Sequence, residues 1–274
     1  MFRPQATRLS HMRTGFELLE LIYHSTARAL RKNYSNAVLG LVMEVVNAAL
    51  MVTVFVAMFH ILGLRRVAIR GDFVLYVMSG VFMFRAHTAA IGAVSGADGQ
   101  ASAMMMHAPM NPIVAVTSAA LASLYRQIFS GAIILLFYHT LFEPITIRDP
   151  VPALGMVLLA WWTGAAIGLI FYSATPWQPE FFGVASKIYQ RVNMIASGKM
   201  VVANMTAAPL RALFDWNPLF HIIDQARGFI FLNYNPHFTS MIYPIKVGMV
   251  CVVIGLMIEF FTRGHISASW GKRR

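Results

Sequence analysis

Residues 38–62 read VLGLVMEVVNAALMVTVFVAMFHIL, an apolar run in which Glu44 is the one formally charged side chain. A helix rises about 1.5 Å per residue, so about 20 such residues cross a hydrocarbon core about 30 Å thick. A helix satisfies its own amides and carbonyls, which is what lipid demands of any backbone it surrounds. The stretch reads as a membrane-spanning helix.

Working outward, five further segments pass the same test: Phe73–Val94, Ile113–Phe142, Val151–Tyr172, Phe181–Val202 and Ile242–Phe261. The pattern predicts an all-α membrane protein with six transmembrane helices, the third long enough to tilt. Residues 1–274 form a single domain, with the spans in 38–262 flanked by 1–36 and a basic tail at 263–274. Composition agrees: 58% of residues are hydrophobic, 12% are charged, and mean hydropathy is +0.62. A soluble domain of this size carries more polar surface. The length leaves no room for a separate large catalytic domain. The single cysteine, Cys251, lies in an apolar run, which excludes a disulfide framework. The first 36 residues hold no apolar core flanked by a cleavage site, so a cleavable signal peptide is not expected.

The net charge of +11 comes from dispersed cations, without a basic helix or an aromatic nucleic-acid motif. An anionic lipid surface or an anionic cargo fits better than nucleic acid. Six spans put both termini on one side, and Lys and Arg choose the side. Arg3, Arg8, Arg13, Arg28, Arg31 and Lys32 precede the first span, and Arg263, Lys272, Arg273 and Arg274 follow the last. The opposite side holds Arg65, Arg66, Arg70, Arg148, Arg211 and Arg227. The bias places both termini in the cytoplasm of a bacterial inner membrane, with Arg65, Arg66 and Arg70 dissenting.

Phe16, Leu19, Tyr23, Thr26 and Leu30 follow helical spacing. They predict an amphipathic helix at the cytoplasmic interface, or else a helix packed on its own protein. Between spans five and six, Asn217–Pro218 reads as an N-cap with proline at the first helical position. The apolar run from Leu219 to Leu232 is interrupted by His221, Asp224, Gln225 and Arg227 and closed by Asn235–Pro236. Too short and too polar to cross, it predicts a re-entrant or interfacial hairpin on the outer side.

Chemistry is sparse. A phosphate loop ends in Gly-Lys-Ser/Thr. Here Gly198–Lys199 is followed by Met200, and Gly271–Lys272 by Arg273. ATP and Mg would therefore have to sit on another chain, and this chain is expected to have no cofactor, no catalytic residue and no metal. The histidines are scattered, Asp72 and Asp98 are isolated, and there is no Gly-x-Ser-x-Gly.

Charges inside spans are costly and mark function by default. The fifth segment holds Lys187, Gln190, Arg191, Asn193, Ser197 and Lys199. Lys187, Gln190, Arg191 and Gly198 share a face expected to look into a bundle or a watery route; snorkelling of Lys187 and Lys199 is the plainer reading. Arg85, Arg126 and Glu44 are lesser candidates, suited to pairing within the bundle. Trp161 and Trp162, mid-span, suit either sugar stacking or packing. The segment Ala101–Pro112, with Met104, Met105, Met106, His107 and Met110, lacks Lys and Arg and is expected either to dock a partner or to fold back on the bundle.

Together these residues resemble the permeases of type-2 ATP-binding-cassette exporters for capsular and related cell-surface polysaccharides. The likeness rests on Val77–Met78–Ser79–Gly80 with Ala90–Ile91–Gly92–Ala93–Val94–Ser95, and on Ile195–Ala196–Ser197–Gly198. Most specific are Trp216–Asn217–Pro218–Leu219–Phe220–His221 and Gln225–Ala226–Arg227–Gly228. Asn47 stands near a proline of the family pattern, and Lys199 replaces an apolar residue. The resemblance implies a homodimer bound to two copies of a cytoplasmic ATPase, with envelope export proteins as further partners. The first helix and Ala101–Pro112 would face the ATPase, beside a loop shaped by Pro176, Trp177 and Pro179. Lys187, Arg191 and Lys199 would touch an acidic polysaccharide, and residues 205–234 would gate the exit. Export of another lipid-linked polymer or a small lipophilic compound, a membrane-embedded transferase, and a channel or secondary carrier are the alternatives. A secondary carrier predicts repeat symmetry, which the sequence lacks.

Overall fold

The computed structural model describes residues 11–31, 37–61, 63, 69, 71–97 and 112–271, with side chains described within 15–262. Among these residues the chain is helix and loop, without a strand. The helices are α1 (His11–Arg31), α2 (Ala37–Ile61), α3 (Phe73–Ser95), α4 (Pro112–Leu141) and α5 (Pro150–Ala174). They continue as α6 (Pro179–Ala196), the short α7 (Ala208–Ala212), α8 (Pro218–Ile230) and α9 (Ile242–Gly271), with a 3-10 turn at Ala203–Met205.

Five of these are long and apolar enough to cross a membrane: Val38–Ile61, Phe73–Ser95, Pro112–Leu141, Pro150–Ala174 and Ile242–Thr262. The segment expected to span at Phe181–Val202 differs. Its helix, α6, has 18 residues and ends at Ala196, giving a rod about 27 Å long. Gly198 takes φ +65°, the left-handed conformation that ends helices. From there the backbone is extended at Val202 before the 3-10 turn.

The contacts give the bundle two ends. At one, Ser118 of α4 donates to the Ile22 carbonyl of α1 (3.3 Å) and Ser186 of α6 meets Ser95 of α3 (3.3 Å). There too Thr262 of α9 donates to the Ser173 carbonyl of α5 (3.1 Å), and the Trp177 indole donates to Thr262 (2.8 Å). At the other end, the Arg148 and Asp149 amides donate to the carbonyls of Ile230 and Phe229, tying the start of α5 to the end of α8. Along α6, Ser186 near its middle meets Ser95 of α3, and the Ala196 carbonyl at its end accepts from Asn217. The start of α2, which lines a cavity with Leu30 and Arg31, and Thr262 in the far part of α9 share the α1 end.

α3 is the central helix: 72% of its span is buried, against 17% for α2 and for α9. Its partner α5 presents Gly164 to the backbone of His87 and Gly168 to Ile91 and Val94, so the two helices pack closely. Such small-residue seams let membrane helices approach. Around the outside, Val42, Val46, Leu50 and Val54 of α2 and Met249, Val250, Val253 and Met257 of α9 are exposed. Two apolar faces of that extent suit hydrocarbon, not water. On α1 the expected stripe divides: Phe16, Leu19 and Tyr23 are exposed, whereas Thr26 and Leu30 are half-buried.

Candidate functional site

At the α8 end, a polar helix is enclosed by apolar ones. Asn217 caps α8: its carboxamide oxygen accepts from the Leu219 amide (3.0 Å), while its nitrogen donates to Asn193 (2.8 Å) and to the Ala196 carbonyl (2.9 Å). Pro218 follows at the first helical position, where no amide is needed. α8 packs against α3, α5 and α9, and Leu219, Ile222, Ile223 and Ala226 share a core with Met83, Ala86, Met156 and Ala160.

The polar residues of α8 tie down the loops on either side. Asp224 accepts from the Ala203 amide (3.2 Å), the Tyr234 hydroxyl and the Thr239 hydroxyl (2.8 Å). Burial, reinforced by the bond to Asp224, pushes the Tyr234 phenol far above its ordinary value. His221 donates from Nε2 to the Asp215 carbonyl (2.8 Å) and accepts at Nδ1 from the Ser240 amide (3.1 Å). Arg227, fully buried, caps the carbonyls of Lys199 and Val201 at 2.5 Å each and lies 4.2 Å over the Tyr76 ring. Lys199 is itself buried, its ammonium 3.8 Å from the Phe84 ring centre and 4.5 Å from that of Phe55. Aromatic faces are the attraction available to a cation that has left water without a carboxylate.

Gly80 makes this possible. A Cβ there would sit 2.7 Å from the Lys199 carbonyl oxygen and 3.2 Å from the Arg227 guanidinium. Only a residue without a side chain lets the turn after α6 lie against α3.

At the α1 end lies a cavity of about 580 Å³, bounded by α1, α2, α3, α4 and α6. Glu44 of α2 sits within it, paired with Arg85 of α3 and accepting from Gln127 of α4 at 2.7 Å. Arg31, Arg126, Thr88 and Gln190 also line it. A charged pair within a membrane bundle is retained only where several hydrogen bonds hold it or a task needs it.

The residues expected to carry function fall in separate places. Lys187 and Arg191 are exposed on α6, beside exposed Ile188, Val192 and Ile195, whereas Ser186 and Asn193 face inward. Gln190 lines the α1-end cavity, so the face expected to hold it with Lys187 and Arg191 is divided. Lys199 lies in the α8-end network and not beside them. Trp161 donates to the Ala120 carbonyl (2.8 Å), joining α5 to α4, and Trp162 lies against Gly248 of α9. Trp216 is half exposed, with its carbonyl accepting from Tyr243 (2.7 Å). Met104, Met105, Met106, His107 and Met110, together with Arg65, Arg66 and Arg70, lie outside the described residues. Sequence reading named Glu44, Arg85 and Arg126 separately but had no signal that they share one cavity with Gln127. It passed over His87, fully buried with Nδ1 3.1 Å from both the Ala160 carbonyl and the Thr163 hydroxyl.

Comparison with protein-family models and with curated proteins found no match. By helix length and hydropathy, the chain is a multi-pass, all-α membrane protein.

Proposed function

We propose that this chain is the transmembrane subunit of an ATP-driven exporter that moves a capsular or related polysaccharide, acidic and lipid-linked, across the bacterial inner membrane. The observation that carries the reading is the unit formed by α6 and α8. A charged helix stops short, the backbone breaks at Gly198, and a polar helix lies buried between α3 and α5. Broken backbone at membrane depth is tolerated only within protein or along a watery route. Of the motifs that resemble the exporter family, Ile195–Gly198, Trp216–His221 and Gln225–Gly228 fall on this unit, and Val77–Gly80 and Ala90–Ser95 fall on α3 beside it.

On this reading α6 makes the sixth crossing, and both termini are cytoplasmic. Two copies pair across the exposed face of α6, so that Lys187 and Arg191 line a conduit between protomers. Weak cationic contacts in succession would bind a polyanion while still releasing it. ATP and Mg belong to two copies of a separate cytoplasmic ATPase docking on α1 and residues 101–112. Envelope proteins of the periplasm and outer membrane would receive the polymer.

Deleting the gene should trap polymer inside the cell. Normal surface polymer in the deletion strain would refute export of this cargo, and accumulation of a different lipid-linked polymer or a small lipophilic compound would redirect the assignment. Arg191→Ala should slow export of an acidic polymer while the ATPase still co-purifies. An unchanged export rate would remove Arg191 from the conduit.

A further inference from the structure

The α1-end cavity has a charge surplus that the buried pair does not absorb. Among the described residues three arginines line it, Arg31, Arg85 and Arg126, against the single carboxylate of Glu44. The surplus is two positive charges, three less one. Glu44 is already engaged by Arg85 and Gln127, and among the described residues the buried Nε of Arg85 has no hydrogen-bond partner. Donors are therefore left over in a half-open cavity, and an anion is what they lack.

We propose that this cavity binds the phosphate headgroup of an anionic phospholipid from the surrounding bilayer. Guanidinium forks match phosphate oxygens in pairs, more tightly than an ammonium does. A volume of about 580 Å³ admits a headgroup with its glycerol. The apolar surroundings choose a lipid over a free anion. The first turns of α2 line the cavity with Gly40 and Leu41 while exposing Val38, Leu39 and Val42 beside it. Acyl chains lying along that surface would leave the headgroup among the arginines. Basic pockets between membrane helices near a headgroup layer commonly hold anionic lipid this way. The bound lipid would link α1 to α2, α3 and α4 by charge. The inference is independent of export and would stand if that function were disproved.

The test uses the full chain purified in neutral detergent and exchanged into mixtures of phosphatidylglycerol and phosphatidylcholine, with retained lipid read by native mass spectrometry. Wild type should retain phosphatidylglycerol in preference. Arg126→Gln should lower that retention about fivefold, the worth of one cationic contact. Arg31→Gln, at the exposed rim, should do the same if Arg126→Gln folds poorly. Arg148→Gln, at the α8 end, should leave retention unchanged. Equal retention of both lipids, or undiminished phosphatidylglycerol retention in both the Arg126 and Arg31 variants, would overturn the proposal. So would thermal stabilisation by inorganic phosphate without any lipid preference, which would reassign the cavity to a soluble anion.

Discussion

Arg227 holds Lys199 by its backbone and not by its charge. The guanidinium caps the Lys199 carbonyl at 2.5 Å, while the lysine's ammonium lies between the rings of Phe55 and Phe84. Among the described residues neither cation forms an ion pair, because each is matched to a different neutral partner: carbonyl oxygens for the arginine, aromatic faces for the lysine. The pairing fastens α8 to the turn that ends α6.

That fastening passes over Gly80. Gly80→Ala should destabilise the protein by about 1–3 kcal/mol, the usual cost of forcing atoms into a filled site. Thermal unfolding in detergent reads the effect directly. A melting temperature equal to that of wild type would show that the turn is free to move away from α3.

Glu44 and Arg85 are only 22% and 15% exposed. Removing either charge alone strands the other in the bundle, so Glu44→Gln and Arg85→Gln should each cost about 3–5 kcal/mol. The double variant should recover much of that loss. Additive losses in a double-mutant cycle would mean that the two groups do not stabilise one another.

Tyr234 makes stability fall at high pH. Its phenol would ordinarily titrate near 10.0, but burial and Asp224 hold the proton on in the folded chain. A group raised in the folded state contributes fully below its unfolded value and loses that contribution as pH climbs toward its folded one. Between about pH 9 and 11, wild type should lose thermal stability more steeply than Tyr234→Phe. Parallel pH profiles would contradict this account.

Lys187 and Arg191 are exposed on α6, so the fold does not depend on them. Lys187→Ala and Arg191→Ala should each change unfolding free energy by no more than about 0.5 kcal/mol. Larger losses would place these side chains in the core and not on an open face.

Much of the fold was legible because it is local. Glu44 is the only charge in residues 38–62, and hydropathy alone makes that stretch a span. Asn217–Pro218 announces the start of α8 because capping needs just a side-chain oxygen and a missing amide. The segment at 181–202 was harder to read. Its apolar content suggested a full crossing, whereas Gly198 ends the helix at Ala196 with a single left-handed residue. Apolar content counts residues over a window and does not register one dihedral angle.

By itself, the sequence determined that the chain is helical, that most of it belongs in a membrane, and where the capped helix of the hairpin begins. These properties depend on neighbours a few residues apart, through hydropathy, helical period and capping. Only the tertiary structure decided that Lys199 turns toward Phe55 and Phe84, that Arg227 spends its donors on carbonyls, and that Glu44, Arg85 and Gln127 meet in one cavity. Those partners are separated by 26 to 144 positions along the chain, and no local rule of spacing connects them.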